Sequence, residues 1–344
     1  MKLGLIVFCN NGGLGIQTRR LAYMLKPDRL LAIDSSGFSK IKEQHFEWYE
    51  GFNGYRVKGF PNDREISIFL RGLTHVLCVE NPLNYNLTKI AKQIGIKVFV
   101  QTNYEFCDFL NRPELILPHK FLMPSYWKVK EMKKRFGDDK VDYLPPPIDP
   151  NEFKEAREIN FKRNGQPRFL HIVGTLAAND RNGTLDLLES LKYTKSDFEL
   201  VIHSQQELPS EYMVNDRRVK YSMRSLENSS DLYKDFDALI LPRRYAGLCL
   251  PCNEALMSGL PVIMTDTSPN NELLPKEWLV KCFKSGEFMT RTIIDIYKSE
   301  VRELAKKIDW LTKQNGDIKI QAFDLGYNNF SESVLLPKYK ELFI

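Results

Sequence analysis

Long apolar runs are missing from this chain of 344 residues. Its apolar runs, such as residues 5–8 and 238–241, are about as long as a strand, far short of the roughly 20 residues that span a bilayer. Glycine (19) and proline (18) are too scarce for a fibrous or low-complexity chain, and the 43% of hydrophobic residues argues against disorder. At roughly 150 residues per domain, we expect two globular domains and no transmembrane helix.

Cysteine is scarce too, with six scattered residues. Cys249 and Cys252 form a C-x-x-C pair, but no second pair or histidine cluster completes a zinc site. We therefore expect buried or free thiols, no metal and no cofactor. The apolar start of the chain runs into Asn10 and Asn11 without the small-residue cleavage site of a secretory signal, which favours a cytoplasmic protein.

Excess charge of one sign is small: 49 basic and 44 acidic residues give a net charge of +5. The excess lies in residues 1–150, where 22 basic and 16 acidic residues give a net charge of +6, whereas the remaining residues have a net charge of −1. Residues 126–136 form a predicted short helix with five basic residues. Such a helix is either a solvated face or a contact for anionic lipid, acidic glycan or nucleic acid.

Short apolar runs alternate with amphipathic segments in two series, the first beginning at residue 3 and the second at residue 168. This alternation predicts βαβ units, and hence an α/β fold with two doubly wound domains. The predicted strands are residues 3–8, 30–33, 75–79, 97–100, 169–173, 198–203, 219–222, 238–241 and 262–265. The predicted helices are residues 16–25, 83–94, 184–191, 226–234, 253–258, 301–311 and 331–343.

A linker is predicted between the two series, in the proline-rich segment 144–150 and the polar stretch 152–165. It divides the chain into a first domain at residues 1–150 and a second at 151–330, with 331–344 as a helix that packs back on the first domain. Doubly wound domains bind ligands at the carboxyl ends of their strands. Site residues are therefore expected in the loops that follow strands.

Two loops after strands have the composition of phosphate-binding loops. Gly12 and Gly13 open a helix whose amides can approach a phosphate, although Thr18 replaces the third glycine of a dinucleotide fingerprint. In the second series, Arg181 can reach phosphate oxygens while Asn182 or Thr184 caps the following helix. The alternatives are a tight turn for the first loop and a capped loop with a solvated arginine for the second.

The most informative segment is 241–263, where a strand is followed by a glycine-containing loop and a short helix. Pro251 suits the first turn of that helix, Gly259 its end, and Pro261 precedes the next strand. Backbone amides at 247–250 are placed to hold a diphosphate, and Glu254 can reach a sugar hydroxyl.

This segment resembles the GT-B glycosyltransferases, in particular the large retaining group that is similar to glycosyltransferase family 4. The family pattern E-G-F-G-x-P-x-x-E-A-x-x-x-G-x-P-V matches most of the stretch from Gly247 through Glu254 to Pro261. Residues 146–153 resemble the family's P-N-G-V-D-x-x-x-F hinge. The resemblance implies two Rossmann-like domains facing across a cleft, the first binding the acceptor and the second the nucleotide-sugar donor.

The resemblance also implies roles for single residues. Glu254 corresponds to the glutamate that binds the ribose hydroxyls, and Arg181 to the basic residue that neutralises the diphosphate. The full set of expected donor-binding residues is Gly12, Gly13, Arg181, Arg244, Gly247, Leu248, Cys249 and Glu254.

Three positions depart from the family pattern. The first glutamate of the motif is Ala246, a histidine of the first domain is Asn103, and an arginine of the second is Thr175. Asn103 and Glu105 follow a predicted strand and are the candidate catalytic residues. A solvated glutamate at a helix start is the alternative for Glu105.

The expected activity is a retaining, metal-independent transfer of a hexosyl or pentosyl group from a nucleotide diphosphate donor, with UDP-sugar favoured, to a hydroxyl. A non-catalytic nucleotide- or sugar-binding protein is the alternative. The expected acceptor is an anionic surface glycan, a lipid-linked sugar or a hydroxylated base in DNA, which would place the protein in the cytoplasm or at the inner membrane surface. The expected acceptor-binding residues are Tyr104, Trp127, Lys130, Lys133 and Lys134.

Overall fold

A computed structural model describes residues 1–174, 179–226, 228–245 and 247–343 of the chain. They form two compact units. The first unit comprises Met1–Pro147, Thr290–Thr292 and Glu332–Ile344, and the second comprises Ile148–Met289 and Ile293–Ser331. Ala246 and Thr175, two of the departures from the family pattern, lie outside the described residues.

The first unit is built on a seven-stranded parallel sheet. Its strands are β1 (Leu3–Phe8), β2 (Arg29–Asp34), β3 (Gly54–Lys58), β4 (His75–Val79), β5 (Lys97–Gln101), β6 (Lys120–Met123) and β7 (Val141–Tyr143). The spatial order is β3-β2-β1-β4-β5-β6-β7. The order reverses direction between β1 and β4, as in doubly wound folds. The connecting helices include α1 (Gly13–Leu25), α2 (Asp63–Leu70), α3 (Asn86–Gln93) and α4 (Val129–Phe136).

The second unit repeats this architecture with a six-stranded parallel sheet. Its strands are β8 (Arg168–Ile172), β9 (Glu199–Ser204), β10 (Val219–Met223), β11 (Ala238–Leu241), β12 (Val262–Thr265) and β13 (Leu279–Val280), in the order β10-β9-β8-β11-β12-β13. β14 (Cys282–Met289) and β15 (Ile293–Ser299) form an antiparallel hairpin. Its helices are α5 (Lys154–Lys162), α6 (Thr184–Ser190), α7 (Leu250–Met257), α8 (Asn270–Leu273), α9 (Val301–Leu311) and α10 (Asp317–Phe330).

The central strands are buried on both faces, which explains why they read as continuous apolar runs. In β1, Ile6 and Phe8 belong to one apolar cluster, while Leu5 and Val7 belong to another. The last helix, α11 (Glu332–Leu342), belongs to the first unit and adds Tyr339 to the second of these clusters. No helix among the described residues is long and apolar enough to cross a membrane.

Two segments differ from what the sequence predicts, and two other predictions agree with the structure. The division between the two units falls between Pro147 and Ile148, inside the predicted linker segment 144–150, but the polar stretch that follows contains the helix α5, in which Ala156 is fully buried. The predicted helix 226–234 is only a turn of 3₁₀-helix at Ser229–Tyr233. The helix predicted with Pro251 in its first turn and Gly259 at its end is α7, which begins at Leu250 and ends at Met257.

Candidate functional site

The second unit places two loops beside each other at its topological switch point. β8 and β11 are hydrogen-bonded neighbours, and the sheet continues through β9 on one side and β12 on the other. Connections leave β8 and β11 in opposite directions, so a crevice opens at their carboxyl ends. The loop after β8 contains Arg181, and the loop after β11 leads to α7 and Glu254.

Close packing joins these two loops. Gly183 has φ +69°, and a Cβ added there would lie 2.2 Å from the Pro242 carbonyl oxygen. The Arg244 amide donates to the Arg181 carbonyl at 2.9 Å. The two loops therefore form one continuous surface, and only glycine fits where they touch.

The start of α6 is capped by Asp180. Its Oδ1 accepts from the Thr184 amide and its Oδ2 from the Leu185 amide, both at 2.9 Å. The predicted caps were wrong, because the Asn182 side chain donates instead to the Ile172 carbonyl at 2.8 Å. Burial raises the pKa of Asp180.

A buried histidine connects the elements around the switch point. His171 on β8 bonds through Nδ1 to the Ile240 carbonyl at 2.7 Å and through Nε2 to the Thr184 hydroxyl at 2.8 Å. Burial lowers the pKa of His171 to about 4, so the ring is neutral. A neutral ring that donates through Nδ1 accepts through Nε2, so the Thr184 hydroxyl is the second donor.

Arg181 lies over an aromatic ring. Its guanidinium carbon is 5.1 Å from the centroid of Tyr245, a buried residue that packs edge-on against Phe288. A cation over a ring face is held there by the quadrupole of the ring. The arginine predicted to bind phosphate therefore has a defined orientation in this structure.

Arg244 has three acceptors within the second unit. Nε donates to the Tyr297 carbonyl at 3.1 Å, Nη1 to the Asn179 carbonyl at 3.1 Å and Nη2 to the Ser285 hydroxyl at 3.4 Å. These bonds connect the loop after β8 to the hairpin. Arg244 is thus a positioning residue, and its contact with a diphosphate stays a prediction.

Arg243 shapes the loop after β11, a role that the sequence does not indicate. Its side chain is buried, and it donates through Nε to the Tyr245 carbonyl at 3.2 Å and through Nη2 to the Leu248 carbonyl at 3.0 Å. Two carbonyls of one loop held by a single guanidinium fix the path of that loop toward α7.

Glu254 lies on α7 and is held by a buried tyrosine. Its Oε2 accepts from the Tyr233 hydroxyl at 2.7 Å. The amides of Cys252 and Asn253 both bond to the Cys249 carbonyl, at 3.0 and 3.2 Å. Pro251, in the first turn of α7, has no N–H to offer.

The C-x-x-C pair is part of the core. Cys249 and Cys252 are buried free thiols, and burial raises the pKa of Cys252 well above its usual value. Among the residues that the structure describes, no group of three or more His, Cys, Asp or Glu side chains is placed to hold a metal ion.

In the first unit, the glycine-rich loop follows β1 at the switch point with β4. Gly12 precedes α1, and its amide donates to Asn10 Oδ1 at 2.9 Å. Gly15 has the closest approach, because a Cβ there would lie 1.7 Å from the Asn10 carbonyl oxygen. Gly13 is the first residue of α1. Both predicted phosphate-binding glycines therefore lie at the carboxyl edge of the sheet.

Thr18, in the place of a third glycine, ties α1 to β1. Its hydroxyl accepts from the Phe8 amide at 3.0 Å and donates to the Leu14 carbonyl at 2.9 Å. A third glycine would let the helix pack closely on the strand. Here the hydrogen bonds of Thr18 join α1 to β1 instead, which explains why that glycine of the dinucleotide fingerprint is absent.

Glu80 is a further candidate residue that the sequence does not reveal. It follows β4 with φ +71°, a conformation that a side chain other than glycine adopts at an energetic cost and that is frequent at functional sites. Its carboxylate accepts from the Asn103 amide at 3.3 Å and from Asn103 Nδ2 at 3.4 Å. The predicted catalytic residue Asn103 is therefore paired with a carboxylate.

Other predicted residues of the first unit lie inside it. Glu105 is 1% exposed, so the alternative of a solvated glutamate was wrong, and its catalytic role stays a prediction. Trp127 is 7% exposed and packs edge-on against Tyr104, with 5.9 Å between ring centroids. This buried ring does not present a face for an acceptor to stack on, which corrects that expectation. Lys130 and Lys134 are exposed on α4, and Lys133, also on α4, is half-buried.

Known proteins share this fold. Residues 167–313 match the family model described as glycosyl transferases group 1. HepE from Anabaena, solved with UDP and glucose, is 11% identical with a TM-score of 0.69, and each chain is covered to 99%. A glycosyltransferase from Rickettsia africae is 15% identical with a TM-score of 0.69, over 99% of this chain and 97% of the other. Sucrose-phosphate synthase from Thermosynechococcus elongatus is 12% identical with a TM-score of 0.68, and the match covers 100% of this chain and 98% of the other.

No curated protein matches the sequence significantly. At identities this low, the solved structures establish the fold, and the family match covers most of the second unit. Residues 167–313 are thus similar to the glycosyl transferases group 1, and the whole chain has the fold of HepE and sucrose-phosphate synthase.

Proposed function

We propose that the protein transfers a sugar from a UDP-sugar to a hydroxyl acceptor, with retention at the anomeric carbon. The observation that carries the proposal is the joined surface of the loops after β8 and β11, which brings Arg181 beside the loop that leads to α7 and Glu254. The presence of UDP in the structure of HepE, which shares the fold, supports UDP as the nucleotide.

The diphosphate and the ribose of the donor each have proposed binding groups on this surface. Arg181 and the amides before α7 bind the diphosphate, and Glu254 accepts from the ribose hydroxyls. A carboxylate has about four lone-pair sites, so the bond from Tyr233 is compatible with further donors. Held in one orientation by Tyr233, the carboxylate loses little freedom when the ribose binds.

The leaving UDP is stabilised by fixed positive charge. In the proposed complex, Arg181 and the amino end of α7 stabilise the diphosphate as its charge grows; the contact of Arg181 with Tyr245 and the position of α7 after the loop support this. Metal independence is part of the proposal, because these groups supply the charge that a divalent cation provides elsewhere. In the first unit, the carboxylate of Glu80 next to Asn103 is the proposed acceptor-side group.

Uridine diphosphate should raise the melting temperature of the protein. A ligand that binds only the native state stabilises it by about 2.7 kcal/mol at a hundredfold excess over Kd. Differential scanning fluorimetry with UDP, ADP and GDP measures the shift, which we expect to be largest for UDP. Release of UDP from a UDP-sugar without acceptor then tests turnover. The absence of a shift with every nucleoside diphosphate and nucleotide-sugar would show that the donor site is misplaced.

We propose an anionic acceptor, either a lipid-linked sugar or an acidic glycan. The +6 charge of residues 1–150 and the exposed lysines of α4 support it. A hydroxylated base in DNA has less support, since recognition of an unstacked base relies on aromatic stacking and Trp127 is buried.

Replacing Lys130, Lys133 and Lys134 together by glutamine should weaken the use of an anionic acceptor and flatten its salt dependence. Each lysine near an anionic membrane surface contributes about 1 kcal/mol. Initial rates at a series of salt concentrations, with UDP affinity measured in parallel, provide the test. The matched control replaces Lys192, Lys195 and Lys220 of the second unit by glutamine, because these three lysines are exposed and their replacement changes the net charge equally.

Unchanged rates and salt response in the α4 variant would show that α4 is only a solvated face. Its basic last turn, with Lys133, Lys134 and Arg135, would then serve the helix dipole alone.

A further inference from the structure

A cavity of about 570 Å³ lies in the first unit, at the amino-terminal ends of β5 and β6. Lys97 is the first residue of β5, Lys92 lies in the last turn of α3, and Lys140 immediately precedes β7. The residues that line it are Thr88, Lys92, Gly95, Ile96, Lys97, Val98, Ile116, Leu117, Pro118, His119 and Lys140.

This cavity is separate from the residues assigned to sugar transfer. Gly12 and Asn103 follow the carboxyl ends of β1 and β5, whereas the cavity lies at the opposite edge of the same sheet. A strand of five residues spans roughly 17 Å. The proposed transfer reaction therefore leaves this cavity without an assigned role.

The lysines that line the cavity give it positive charge. No acidic residue lines the cavity, and among the described residues Lys92, Lys97 and Lys140 have no carboxylate oxygen within 4.0 Å of their ammonium groups. Lys140 Nζ donates to the His119 carbonyl at 3.3 Å. Burial, followed by the charges of Lys97, Lys140 and Lys120, lowers the pKa of His119, and the smaller effect of Asp139 opposes this shift.

The remaining wall is apolar. Ile96 and Val98 are buried at the inner side, and Leu117 is exposed. A volume of 570 Å³ lies within the usual range of about 300 to 1,000 Å³ for small-molecule sites. A ligand suited to this cavity thus combines an anionic head with an apolar part.

We propose that this cavity binds a phosphate ester, with the lysine ammonium groups on the phosphate oxygens and the apolar wall against the ester group. Ammonium–phosphate hydrogen bonds are charge-assisted and roughly twice as strong as neutral ones. The ester is either a soluble molecule or the headgroup of a phospholipid, and both present the same chemistry. The site is distinct from the donor site and does not depend on the proposed function.

The test compares the wild type with a variant carrying Lys92→Gln, Lys97→Gln and Lys140→Gln. Phenyl phosphate and inorganic phosphate are the soluble probes, measured by calorimetry at saturating UDP so that the donor site is occupied. Vesicles of phosphatidylglycerol with phosphatidylcholine, against phosphatidylcholine alone, are the lipid probe. We expect tighter binding of phenyl phosphate than of phosphate, and a loss of about tenfold or more in the variant.

The control variant with Lys192→Gln, Lys195→Gln and Lys220→Gln has the same change of net charge and should bind as the wild type does. Melting temperatures verify folding, and Lys97→Gln alone replaces the triple variant if that one unfolds. Binding of phenyl phosphate identifies a soluble ester, and binding of anionic vesicles alone identifies a lipid headgroup. If the wild type binds none of the probes, or the variant binds them equally well, the proposal is wrong. UDP affinity, measured in parallel, reports on the donor site separately.

Discussion

Gly183→Ala should destabilise the second unit by about 2 to 5 kcal/mol and abolish UDP binding. The left-handed conformation at φ +69° costs roughly 1 to 2 kcal/mol for alanine, and overpacking typically costs about 1 to 3 kcal/mol more. The Cβ would lie 2.2 Å from the Pro242 carbonyl oxygen, at the end of the central strand β11. Backbone in that position has little room to move, so the two loops would separate. Melting temperature and UDP affinity are the readouts.

Two other glycines separate the causes of this effect. Gly72 has nearly the same φ, +70°, and a Cβ there would meet nothing within 4 Å, so Gly72→Ala shows the conformational cost alone. Gly37 has neither a positive φ nor a close neighbour, and Gly37→Ala should change stability by no more than about 0.5 kcal/mol. If Gly183→Ala costs no more than Gly72→Ala and still binds UDP, the contact between the loops is not what forms the site.

The central strands could be predicted from the sequence because burial on both faces leaves them uniformly apolar. β4, β11, β12 and α9 have the predicted bounds. The missed strand β3 is at the edge of its sheet, and only Val57 in it is buried, so it has no apolar run to detect. The missed helix α10 contains Gly326, which lowers helix propensity. The structure explains this glycine, since a Cβ would lie 2.8 Å from the Leu256 backbone on α7.

The candidate site could be predicted only in part, because some of its residues have roles that the sequence pattern does not show. Arg181 and Glu254 follow strands in a recognisable motif, and the structure brings their elements together at the switch point. Asp180, Arg243 and Glu80 could not be assigned, because their roles depend on three-dimensional contacts. Several neighbouring side chains are able to cap α6, and only the fold selects Asp180. Likewise, nothing in the sequence indicates that Glu80 has a positive φ.

Glu254→Gln and Arg181→Gln should each weaken UDP binding by about 1.5 to 3 kcal/mol, or roughly ten- to 150-fold in Kd, because each removes a charged hydrogen-bond partner. The loss of affinity should depend on the ligand in a different way for each variant. Glu254→Gln should weaken the binding of uridine and UDP alike, since it acts on the ribose. Arg181→Gln should weaken the binding of UDP and leave that of uridine unchanged. Calorimetric titration of each variant with both ligands measures the pattern.

Tyr233→Phe is the matched control, because it removes the hydroxyl that donates to Glu254 at 2.7 Å and keeps the carboxylate. If Tyr233 only orients Glu254, its variant should lose less UDP affinity than Glu254→Gln. The ligand 2′-deoxyuridine diphosphate sharpens the assignment: a carboxylate that accepts from the 2′-hydroxyl contributes less once this hydroxyl is gone, so Glu254→Gln should then cost less. An equal loss for Glu254→Gln with both diphosphates would place that carboxylate away from the 2′-hydroxyl. Unchanged UDP affinity in both the Glu254 and Arg181 variants would mean that the nucleotide binds elsewhere.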